Sequence, residues 1–257
     1  MLHGGWGYEL YPFDRQIEAL AAQHRIVIPD RSGYGGSGVV TSLPADFHRL
    51  AMEETRAVID ALGLEPPMLW GHSDGAIIAL LFGLAAPDRI AGVIAEATHV
   101  YKRKPASRAF FDGLMADPQS LGAGVQSVLE RDHGARWPAL IAMHSRTWRR
   151  IADEAASATD DFYGGRLGDL KVPALVIHGA RDPRTEPGEL NALRAAVPRA
   201  KFAVLADGGH SPHSERPMAD EVTRVANEFI TSLRTSERER LRSSAGSSAR
   251  GGGAPRA

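Results

Sequence analysis

Met68-Leu69-Trp70-Gly71-His72-Ser73-Asp74-Gly75-Ala76-Ile77-Ile78 is the stretch whose reading decides the fold. A short apolar run leads into Gly-x-Ser-x-Gly, and an apolar helical run from Ala76 to Leu84 leads away from it, ending before Pro87. Strand, sharp turn and helix follow within a few residues. Such a turn has no room for a Cβ at its flanking positions, which explains Gly71 and Gly75, and it holds the central residue in a strained backbone conformation that lifts its side chain off the sheet. The free N–H groups of the helix then face whatever negative charge forms at Ser73.

Working outward, short apolar runs alternate with helical ones. Arg25–Ile28, Met68–Trp70, Gly92–Ala95, Ala174–Ile177 and Phe202–Leu205 are predicted strands. Phe47–Leu62, with apolar Leu50, Val58 and Leu62, is a predicted helix, as are residues 76–84, 189–196 and 218–233. Strands alternating with helices imply an α/β fold with a mainly parallel sheet. Between Tyr101 and Asp169 the alternation stops, and only helical patterns occur. The expected organisation is therefore a core of residues 1–100 and 170–234, a helical cap insertion at 101–169, and a disordered Ser/Arg/Gly-rich tail at 235–257.

Four further segments stand in order around the first: Leu2-His3-Gly4-Gly5-Trp6, Asp30-Arg31-Ser32-Gly33-Tyr34-Gly35-Gly36-Ser37, Ile177-His178-Gly179-Ala180-Arg181-Asp182-Pro183, and Gly208-Gly209-His210-Ser211-Pro212-His213. The second reads as a tight turn braced by Asp30 and Ser37. Its spacing is not that of a phosphate-binding P-loop. With the Gly-x-Ser-x-Gly turn, these segments resemble the α/β-hydrolase superfamily, in the capped single-domain branch of small esterases, enol-lactonases and carbon–carbon bond hydrolases. The resemblance runs from about Leu2 to Leu233.

The resemblance implies Ser73 as nucleophile, Asp182 as the orienting acid and His210 as the base, in the superfamily's order along the chain. It also implies backbone N–H groups of Gly5 and Asp74 as the oxyanion hole. His213 is the alternative to His210, and Glu96, near the end of a predicted strand, is the alternative to Asp182. His72 is expected to pack beside the site, His178 to point into the loop carrying Asp182, and Asp207 to cap the turn before His210. Substrate contacts are expected from Trp6, His72, His99, Trp137 and Trp148, with Phe110, Phe111, Leu114 and Met143 completing a partly apolar pocket. His133 and His144 lie in the insertion, where a substrate contact and a solvated histidine are equal readings.

Composition narrows the function. The formal net charge is −1, so bulk attraction to nucleic acid or an anionic membrane has no basis. No cysteine is present, which excludes disulfides and thiolate chemistry. No metal and no cofactor is expected, since no H-x-x-x-H or H-E-x-x-H pair occurs. The expected partner is a small-molecule substrate, with no nucleic acid and no membrane, in the cytoplasm; the sequence sets no oligomeric state. The expected reaction is hydrolysis of an ester, lactone or thioester through an acyl-enzyme. The alternatives are carbon–carbon bond hydrolysis of a diketone and a non-turnover ligand receptor of the same fold. In the superfamily a buried strand precedes the His-Gly loop. Only Met1 and Leu2 precede His3 here, so the first strands are expected to be missing through a start assigned too late.

Overall fold

In the computed structural model the backbone is described for residues 1–248 and the side chains for residues 1–235. Helices α1 (Asp14–Leu20) and α2 (Phe47–Ala61) precede β1 (Met68–His72) and α3 (Asp74–Ala85). Then come β2 (Gly92–Glu96), the helices α4 (Pro105–Ala116), α5 (Ala123–His133) and α6 (Trp137–Glu154), β3 (Ala174–Gly179), α7 (Glu189–Ala196), β4 (Lys201–Leu205) and α8 (Arg216–Ser248).

The four strands pair in the order β1-β2-β3-β4, all parallel. β2 and β3 are buried along their whole length, as a parallel sheet covered on both faces requires. Alternate residues serve opposite layers. Leu69, Val93 and Val176 pack in the cluster with α2 and α3, whereas Trp70, Ile94 and Leu175 pack in the cluster with α8 and Phe13. α3 is apolar almost all round and is buried from Asp74 to Gly83, so it forms the centre of one layer.

Three expectations change. Residues 25–28 are extended but join no ladder. Beyond β1 the sheet continues only as the bridge from Leu2 to Gly71, and the Met1 amino group donates to the Val27 carbonyl (2.6 Å). One bridge residue gives a neighbouring segment too little backbone to pair with. In α2 the buried face is Phe47, Ala51, Met52 and Ile59, not Leu50 and Leu62, which are exposed. The apolar residues of this helix occupy both faces, and packing against α3 selects one of them. α8 continues to Ser248, past the expected end of the core at 234. Residues 249–257 of the expected tail lie outside the described residues. α1, unforeseen from the sequence, packs on α8. No helix among the described residues is long and apolar enough to cross a membrane.

Between β2 and β3, α4, α5 and α6 form the insertion. Its own core joins Leu114, Leu129, Trp137, Leu140, Ile141 and Met143 to Tyr34 of the Gly-rich turn. That turn is braced as expected: Asp30 Oδ2 accepts the Gly36 N–H (2.9 Å), and Ser37 Oγ donates to the Asp30 carbonyl (2.7 Å).

Candidate active site

Ser73 stands between β1 and α3 with φ 53° and ψ −117°, in the left-handed half of backbone space that non-glycine residues seldom enter. The strain persists because its neighbours fix it. A Cβ on Gly71 would overlap the Gly75 carbonyl, and one on Gly75 would overlap the Leu2 carbonyl. The Ser73 N–H donates to the Glu96 carbonyl (2.9 Å), which ties the turn to the end of β2.

Asp182 and His210 follow β3 and β4 and reach the same edge. His210 Nδ1 lies 2.9 Å from Asp182 Oδ2, and Nε2 lies 3.0 Å from Ser73 Oγ. A carboxylate can only accept, so Nδ1 carries the proton, and Nε2 is left as acceptor for the Ser73 hydroxyl. Burial pushes the Asp182 carboxyl up, but the hydrogen bond from His210 leads the effects that outweigh it, and the net shift is strongly downward. The loop bearing His210 is clamped by Glu215, which accepts the N–H groups of Gly209 (2.8 Å) and Ser211 (3.1 Å). Gly209 lies too close to Glu215 for a side chain to fit.

A cavity of about 220 Å³ opens beside Ser73 and His210. Gly5, Trp6, His72, His99 and Trp148 line it, as do Phe110 and Phe111. Trp137 does not. At the start of α6 it packs into the insertion's own core, together with Leu114 and Met143, because its ring is needed to close that core against Leu129 and Tyr34. The Asp74 N–H is at the first position of α3, where no intrahelical acceptor exists, and Gly5 lines the cavity.

Over residues 1–223 the sequence matches the family described as the alpha/beta hydrolase family. The chain belongs to it. An α/β hydrolase sharing 30% identity over 217 residues, 76% of this chain and 78% of its own length, is the "Putative carbamate hydrolase RutD" of Azorhizobium caulinodans. A 2-hydroxy-6-oxononadienedioate/2-hydroxy-6-oxononatrienedioate hydrolase of Dechloromonas aromatica is 26% identical, over 90% of this chain and 86% of that protein. Among solved structures, a thermophilic esterase from Thermogutta terrifontis superposes with a TM-score of 0.67 at 21% identity, covering 90% of this chain and 88% of that one. Its relatives are hydrolases, and this α/β hydrolase is an enzyme of the same kind.

The two alternatives to the site residues turn out to be partners of each other. Glu96 Oε1 accepts both the His213 N–H (2.9 Å) and His213 Nδ1 (2.8 Å), and Glu96 Oε2 accepts Trp70 Nε1 (3.1 Å). His213 Nε2 faces the Tyr11 carbonyl (2.9 Å). Both ring nitrogens therefore face acceptors, an arrangement that favours the imidazolium. Burial pushes His213 down, but Glu96 prevails and raises it. His72 sits between the two histidines. Its Nε2 donates to the His210 carbonyl (2.9 Å), its Nδ1 has no partner, and burial pushes it down to about 3, so it is neutral.

Sequence reading missed the surroundings of Asp74. Its buried carboxylate accepts His48 Nε2 (3.0 Å) from α2 and His144 Nε2 (2.9 Å) from α6, with Arg31 at 3.9 Å. Burial alone would raise this carboxyl, but the two histidines hold it well below the carboxylate range. Donors on both carboxylate oxygens and a nearby guanidinium are what a buried carboxylate needs to stay ionised. Asp74 also ties the cap to α3, and a Cβ on Gly5 would overlap His144. His133 is no substrate contact either: it receives the Gly35 N–H and donates to the Trp6 carbonyl. His178 points into the acid's loop, against Thr185 Oγ1 (2.6 Å). Asp207 caps nothing and pairs with exposed Arg181. Lys104, Ser107 and Arg184 also line the cavity, and nothing in the sequence singled them out. Among the described residues no cluster of three or more His, Asp or Glu side chains is arranged to hold a metal ion.

Proposed function

We propose that this α/β hydrolase is a serine hydrolase that cleaves an ester, lactone or thioester of a small, partly apolar substrate through an acyl-enzyme. The observation that carries the reading is His210 bridging Asp182 and Ser73 at 2.9 and 3.0 Å on a strained turn. Ser73 Oγ attacks the carbonyl carbon while His210 Nε2 takes its proton. Asp182 fixes the Nδ1–H tautomer and stabilises the imidazolium that forms. The Gly5 and Asp74 N–H groups hold the oxyanion, each worth about 3–4 kcal/mol of transition-state stabilisation. His210 returns its proton to the leaving group, and water then repeats the sequence on the acyl-enzyme.

A fluorophosphonate probe should label the folded protein on the peptide containing Ser73, and Ser73→Ala should abolish both labelling and turnover of short-chain 4-nitrophenyl esters. An adduct on another peptide, or none, would remove Ser73 as nucleophile. A second reading has its own support in the relative named for 2-hydroxy-6-oxononadienedioate, which points to carbon–carbon bond hydrolysis of a diketone. It needs the same three residues. Turnover of a vinylogous diketone with no turnover of any ester, lactone or thioester would favour it.

A further inference from the structure

We infer that the substrate carries a carboxylate, and that Arg184 binds it. Two cations, Lys104 and Arg184, line the cavity, and no carboxylate is among the lining residues. The two are not equivalent. Lys104 is buried against the Glu189 carboxylate, so its charge is already compensated. The Arg184 guanidinium has no hydrogen bond and no ion pair among the described residues, and it lies half-buried with its carbon 3.2 Å from the centre of the Phe110 ring.

The placement of Arg184 is built. Its backbone N–H donates to Asp182 Oδ1 (2.8 Å), so the turn that fixes the acid also fixes the arginine two residues on. Asp182 Oδ2 is engaged by His210. The contact with Phe110 leaves the guanidinium N–H donors without partners, and a guanidinium fork can grip a carboxylate with two parallel bonds. A second, independent feature points the same way. Ser107, on α4 beside Lys104, is 1% exposed and lines the cavity, and its hydroxyl has no hydrogen-bond partner. Buried hydroxyls are ordinarily partnered. A carboxylate in the cavity would give both groups what they lack, and the apolar rings of Trp6, Phe110 and Phe111 would line the path between it and the bond at Ser73.

The inference deepens the serine-hydrolase reading, and its test separates the two. Binding to the Ser73→Ala protein is measured by calorimetry with monomethyl adipate and with methyl hexanoate, which differ in the terminal carboxylate. The anionic ester should bind at least about tenfold tighter, a difference of about 1.4 kcal/mol. Arg184→Gln in the same background should erase the preference, and Arg184→Lys, which keeps the charge but not the fork, should retain part of it. Equal or undetectable binding of the two esters, or a preference that survives Arg184→Gln in a protein with an unchanged melting curve, overturns the assignment. In the active protein the ratio of kcat/KM for the 4-nitrophenyl monoester of adipate over 4-nitrophenyl hexanoate should fall by the same factor in Arg184→Gln. Absence of ester turnover in the unmodified protein would count against the serine-hydrolase reading and leave the binding result standing.

Discussion

Asp182–His210 and Glu96–His213 are the same pair of groups built twice, with the His72 ring between them: its centroid is 5.2 Å from that of His210 and 4.8 Å from that of His213. In both pairs Nδ1 meets a carboxylate oxygen, at 2.9 and 2.8 Å. What differs is the far nitrogen. His210 Nε2 meets a hydroxyl, which can donate, so this nitrogen has a partner it can accept from. His213 Nε2 meets a carbonyl, which can only accept, so the ring already holds both protons and has no basic nitrogen to offer. Phe13 stacks on that cation, ring centroids 4.2 Å apart, and seals it from solvent. A base and a structural cation thus arise from one pairing, and the group at Nε2 decides which.

The largest effect that could break this distinction is on turnover. His210→Ala should lower ester hydrolysis by a factor on the order of 10⁴ or more, as loss of one member of a triad does, with the smaller loss of urea-unfolding stability of the two variants, since Asp182 keeps the Arg184 N–H. His213→Ala should do the reverse. It leaves Glu96 as a buried, uncompensated charge and should cost about 3–5 kcal/mol of stability, with a far smaller fall in turnover. If the two variants exchange these phenotypes, the roles read from the Nε2 partners are inverted.

That the two alternatives would pair with each other was not legible in the sequence. Glu96 and His213 are 117 positions apart, and only the parallel order of β2, β3 and β4 brings the end of β2 to the loop after β4. Read locally, a histidine three residues past His210 and an acid at a strand end each look like substitutes for a site residue. The turn at Ser73 was legible because its demands are local: the glycines, the apolar strand and the helix lie within a few residues. The same locality explains the accurate ends of α7 and the braced Asp30 turn. It also explains the failures. The partners of Asp74 come from α2 and α6, and the fate of Trp137 depends on which helices close around it, neither of which a period along the chain encodes.

A smaller effect concerns pH. Burial raises the Glu96 carboxyl, but His213 outweighs it and the net shift is downward, so the contribution of Glu96 to stability is present above its ordinary value of 4.5 and is lost as pH falls through the folded value. His213 is raised, so its contribution is complete below its ordinary value of 6.5 and is lost as pH rises through the folded value. The pair stabilises most between about 4.5 and 6.5. Urea unfolding of Glu96→Gln, measured from below 4.5 to well above 6.5, should show the loss on the alkaline side abolished. The acid side should persist in part, because Asp182 and Asp74 are lowered as well. An alkaline limb unchanged in Glu96→Gln would mean that His213 is not the group that titrates there.

The smallest expected effect isolates the third donor to Glu96. Trp70 Nε1 donates to Glu96 Oε2 at 3.1 Å, and its side chain lies with Phe13 on the α8 side of the sheet, in the layer away from the cap. Trp70→Phe keeps an aromatic ring against Phe13 but removes the N–H. Two losses then occur together, and pH separates them. Missing ring atoms weaken packing equally at every pH. The hydrogen bond serves the ionised carboxylate, and such a bond contributes about 1.5–3 kcal/mol, less than breaking the ion pair outright. Its loss should therefore destabilise more at pH 6 than at a pH where Glu96 is protonated, and it should move the acid limb of the stability curve upward, because a carboxylate with one donor fewer is easier to protonate. Ester turnover should stay near that of the unmodified protein, since Ser73 and His210 keep their contacts. A destabilisation that does not vary with pH would show that Trp70 only fills space and that His213 alone holds the Glu96 charge.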